Sequence, residues 1–142
     1  MAQADLMQEG LAFLLNAALR ETQAVPENFY IGLSGDTALA ENATLADVAE
    51  ITGTNYARQA VASSAVGFPT SATAGTLDWH VTTLQVTFTG DAANDWQDAK
   101  SAFLASTIDD TGKLIAFGTL AATRTLKSGD TEKVTLDIQL NG

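Results

Sequence analysis

The chain has no cysteine, one histidine, two prolines and only 7 basic residues against 17 acidic ones. Each shortage removes a class of chemistry. Without cysteine there is neither a disulfide nor a thiolate metal site. With His80 as the sole histidine, one copy cannot build a His-rich metal centre, and a Ser-His-Asp triad has a single possible base. Ser63, Ser64, Ser71 and Ser101 all lack the Gly-x-Ser-x-Gly setting of a nucleophile elbow. His80 therefore reads as an exposed loop residue beside Trp79. The net charge of −10, with no basic stripe to offset it, repels a phosphate backbone, so no nucleic-acid partner is expected. No apolar run is long enough to span a bilayer, and no membrane partner is expected. Asp5 and Glu9 occupy the region where a signal or transit peptide carries Lys or Arg, so neither is expected.

What is present is ample apolar material, 46% of 142 residues. That length fits one domain over residues 1–142, able to bury roughly 68–70% of its unfolded surface. Two acidic groups, Asp91/Asn94/Asp95/Asp98 and Asp36/Glu41/Asp47/Glu50, hold enough oxygens for calcium. Neither has EF-hand spacing, so they read as solvated loop acids, and no metal or other cofactor is expected. Asp109 and Asp110 stand side by side at a turn, too wet for the raised pKa that glycosidase chemistry requires. No catalytic residue emerges, and the chain reads as a non-enzyme.

Hydrophobic periodicity outlines the fold. Leu6, Gly10, Phe13, Leu14 and Ala17 recur at helical spacing, predicting a helix over about 4–21. Met7, Leu11, Leu15, Ala18 and Leu19 widen its apolar face beyond what one packing surface requires. Phe29–Leu33 is strand-like, Thr44 can cap a short second helix over Leu45–Glu50, and Tyr56–Val61 suits an edge strand. The Ser-, Ala-, Gly- and Thr-rich stretch from Ala62 to Gly75 reads as a surface loop, with Phe68 pinned to the core. Leu84, Val86 and Phe88 alternate with polar residues. A central strand from Trp96 to Thr107 turns at Asp110-Thr111-Gly112, where glycine is expected to supply a positive φ, and returns from Lys113 to Leu120. After Ser128-Gly129-Asp130, Val134, Leu136, Ile138 and Leu140 alternate as one strand. Trp79 and Trp96 read as core or rim aromatics. The predicted fold is mainly β: an antiparallel, jelly-roll-like β-sandwich with the N-terminal helix laid against it.

Several of these segments together resemble small virion proteins of tailed bacteriophages. The matching pieces are Trp96, Ala102-Phe103-Leu104, Asp110-Thr111-Gly112, Leu114–Gly118, Thr125-Leu126, Gly129-Asp130-Thr131 and Val134–Leu140. Glu9–Asn16, Phe29–Leu33 and Tyr56-Ala57-Arg58 extend the resemblance towards the N-terminus, and residues 63–84 are least alike. The resemblance implies a non-enzymatic virion component of the capsid decoration (cement) or tail-fibre-associated type. The favoured expectation is a cement protein, made in the host cytoplasm and bound to the outer capsid surface. Its partner is then the major capsid protein or another virion protein, with homo-oligomers on the shell. A tail, neck or fibre-base component is the alternative within the resemblance. A carbohydrate- or cation-binding β-sandwich is the alternative outside it. Partner contacts are expected at Leu6, Met7, Leu11 and Leu15 on the broad helix face, and at Phe68 in the long loop. Removing residues 1–7 is accordingly expected to weaken partner binding more than domain stability.

Overall fold

The computed structural model describes residues 2–73 and 79–139. The elements run β1 (Ala2–Leu6), α1 (Gln8–Ala18), β2 (Asn28–Ser34), β3 (Gln59–Ala62), β4 (Thr70–Thr73), β5 (Trp79–Thr82), β6 (Val86–Thr89), β7 (Ala99–Ala105), β8 (Leu114–Arg124), β9 (Thr131–Val134) and β10 (Leu136–Gln139). The chain is mainly β, with one helix against a curled sheet. The expected pair of antiparallel sheets takes a different form. Eight strands make one mixed sheet in the order β3-β2-β7-β8-β1-β10-β5-β4, and β6 and β9 form a separate two-stranded ribbon. The second helix is only a 3-10 turn, Leu45–Asp47. There the Asp47 carboxylate accepts from both the amide and the hydroxyl of Thr44, at 2.8 and 3.0 Å.

The largest departure from the sequence pattern is at the start. Residues 2–6 form a strand, although the spacing places residues 4–6 in the helix. Ala2 and Ala4 are buried while Gln3 and Asp5 are exposed, the period-two alternation of a sheet. β1 pairs in parallel with β10, Ala4 opposite Ile138, and antiparallel with β8, Leu6 opposite Ala116. Met7 is extended (φ −81°, ψ 156°), and the helix starts only after it. Five residues are too few to distinguish the two periods in advance. The pairing partners, more than a hundred residues away, decide between them.

The C-terminal alternation also divides. Val134 belongs to β9, opposite Val86 in the ribbon, whereas Leu136 begins β10 in the main sheet, opposite Ala2. One unbroken alternating pattern thus serves two sheets, because the pairing partner changes across Thr135 while the period of two continues. Leu140 lies outside the described residues. The loop expected over 62–75 contains β4, and β5 was not anticipated. Gly112 does not take a positive φ. A Cβ there would lie 2.4 Å from both Ser106 Oγ and Thr107 Oγ1, so its role is close packing. Gly129 is the described glycine with a positive φ, +81°.

Both faces of the sheet are packed. Along β7, Ala102 and Leu104 join the larger apolar core, while Phe103 and Ala105 join a second cluster with Met7, Leu45, Leu114 and Phe117. Glu9 fastens α1 to this frame. Its Oε2 accepts from the amides of Leu114 (2.7 Å) and Leu45 (3.1 Å), and Oε1 lies 3.3 Å from Lys113 Nζ. Gly10 lets the helix approach closely, since a Cβ there would sit 2.2 Å from the Ile115 carbonyl oxygen. With β1 inside the sheet, the expectation for the truncation reverses. Removing residues 1–7 strips hydrogen bonds from both β8 and β10 and is expected to abolish cooperative thermal unfolding. A truncated chain that still melts cooperatively near the full-length temperature would contradict this placement of β1.

Candidate partner interface

Helix α1 presents its leucines outward. Gly10 and Phe13 are buried, and Phe13 meets Phe29 edge-on with ring centres 6.0 Å apart. Leu11, Leu14, Leu15 and Leu19 are 38, 39, 46 and 77% exposed. At 100° per residue these four and Ala18 fall within an arc about 140° wide, opposite Phe13. Leu14, read from spacing as an inward residue, faces out. The outer face of this helix is therefore apolar apart from Gln8, and exposed apolar patches of this kind are uncommon on a lone subunit. No ionisable side chain occurs from Gly10 to Leu19.

Beside the helix lies an apolar recess of about 350 Å³, lined by Leu6, Leu14, Phe29, Phe68, Val81, Ile115 and Ile138 among others. Leu6 and Phe68, proposed contacts from opposite ends of the N-terminal half, meet at this recess. Phe68 is partly buried and held edge-on by Phe29 at 5.9 Å. Leu11 lines a different hollow of about 540 Å³, between Gln3, Asp5, Thr119 and the 37–41 loop. Leu15 stands on the open helix face. Met7 does not belong with them: at 4% exposure it is part of the second core cluster. It is buried because the chain turns from strand to helix at that residue, which sends its side chain into the sheet rather than along the helix.

A polar centre lies elsewhere, at the edge strand β3, and spacing did not reveal it. Arg58, its side chain 3% exposed, reaches Glu50 through Nη2 at 2.6 Å and Nε at 3.0 Å. It also donates to the carbonyls of Thr107 (3.1 Å) and Asp109 (2.5 Å) and to Asp110 Oδ1 (2.6 Å). Its guanidinium lies 5.1 Å from the centre of the Phe103 ring. Burial alone works against the charge, but Glu50 and then Asp110 outweigh it and leave the Arg58 pKa raised. The Tyr56 hydroxyl accepts from Leu33 N at 2.8 Å and donates to Glu50 at 2.9 Å. Burial, with Glu50 adding to it, pushes this phenol far above its ordinary range. The Tyr-x-Arg motif is thus a structural knot, and it precedes β3 rather than lying within it.

The loop acids are occupied in cross-loop hydrogen bonds. Asp95 accepts from the amide and hydroxyl of Thr54, both at 2.8 Å, Asp91 from Asn55 at 2.6 Å and Asp98 from Thr125 at 2.5 Å. Asn94 accepts from Ser128 N at 2.6 Å. Asp36 accepts from Ala49 N at 2.8 Å. Among the described residues, no group of three or more His, Asp or Glu is placed to hold a metal ion. His80 is not a loop residue. It lies on β5, partly buried, with Nδ1 2.7 Å from Asp137 Oδ1 on β10. Trp96 is buried, donates to Thr54 O at 2.7 Å and meets Tyr56 edge-on at 5.3 Å. The Trp79 side chain lies outside what is described. Among the described residues, no helix is long and apolar enough to cross a membrane.

A family model described as podophage GP4 fiber I protein gp80 matches residues 11–139. The chain belongs to this family. Membership makes it a bacteriophage virion structural protein of the tail-fibre-associated kind, and the matched span runs from Leu11 on α1 through β10. No curated protein matches the chain.

Two predictions concern the polar centre and the loop acids. Truncating Arg58 to Ala leaves Glu50 without its cationic partner and takes a donor from two carbonyls, and should cost about 3–5 kcal/mol in urea unfolding. Asp110→Asn should cost no more than about 1 kcal/mol, because Asp110 is 74% exposed and water screens the pair. Equal losses for the two variants would refute the view that burial governs this network. Separately, hydrogen bonds from Thr54, Thr44 and Thr111 hold the carboxyls of Asp95, Asp47 and Asp109 below their ordinary range. The unfolded chain then takes up protons before the native one as pH falls below about 4. Stability present at neutral pH should decline through that window, and Asp95→Asn should flatten the decline in urea midpoints measured from pH 5 to pH 3.

Proposed function

We propose that this protein is a fibre-associated structural subunit of a podophage virion, acting as a homo-oligomer attached to another virion protein. The match over residues 11–139 to a fibre-protein family carries this reading. The acidic surface supports it, since a net charge of −10 disfavours adhesion to nucleic acid released or packaged nearby. The features conspicuous in the fold are an apolar helix face and a recess, which suit contact between proteins.

Capsid decoration is the second reading, and the chain's internal hydrogen bonding suits it as well as it suits the fibre role. Every buried polar side-chain atom among the described residues has a hydrogen-bond partner within the same chain. Such a subunit folds before it docks and can be added to a finished shell, stabilising the assembled state by mass action. In either role the protein acts by binding, without catalysis, and its immediate neighbour is a virion protein, the major capsid protein in the decoration case.

Protein quantification of purified virions together with immunogold labelling distinguishes the two. Few copies confined to the tail are expected. Many copies spread over the shell would replace the fibre reading with decoration, and absence from purified virions would overturn both.

A further inference from the structure

We draw no further inference here: the strongest candidate, the outward leucine face of α1 with the apolar recess beside it, is an unpartnered apolar surface, and nothing in the structure shows what covers it.

Discussion

The buried guanidinium of Arg58 is the constraint on which much of the structure depends. A cation this deep is costly unless nearly every donor is matched, and here carboxylates and carbonyls from two distant segments match them. Meeting that requirement brings Glu50, the 107–110 turn and the start of β3 to one place. It also positions Tyr56, whose hydroxyl shares Glu50 and receives the Leu33 amide. The Tyr56 ring then stacks near-parallel to Phe88 and edge-on to Trp96, linking the polar centre to the ribbon and the larger core. One polar interaction thereby sets the order of an apolar interior.

A second constraint acts at the other end of the sheet. β1 lies between β8 and β10, so the first residues of the chain and nearly the last are hydrogen-bonded neighbours. Its position determines where α1 must begin, and Glu9 and Gly10 then clamp the helix to β8. Once Gly10 and Phe13 occupy the inner side, the leucines have only the outer side left. The surface suited to partner contact is thus a geometric consequence of how the N-terminus is woven into the sheet. The same helix closes the core with Gly10 and Phe13 and leaves its leucines exposed.

Local pattern revealed some of these elements and not others. β7 and β8 were legible because their apolar runs are long and a turn separates them, and β6 because Val86 and Phe88 alternate cleanly. The C-terminal alternation was legible as strand, but its division between two sheets was not, since period two says nothing about which neighbour a residue pairs with. Arg58 and Glu9 were invisible as organising groups because their partners lie far away in sequence. Of the expected contact residues, Leu6 and Phe68 share a recess and Leu11 and Leu15 lie on the open helix, while Met7 is core. Leu19, the most exposed of the helix leucines, was grouped only with the wider apolar face.

By itself the sequence determined that this chain is mainly β, carries an N-terminal helix and resembles phage virion proteins, because alternation, turn residues and family pattern are local properties. Only the tertiary structure decided which of two apolar helix faces turned inward, that the first five described residues became a strand, and that a lone arginine became a buried hub. Each of those outcomes depends on long-range pairing, where backbone hydrogen bonds and charge compensation from remote residues outweigh local preference.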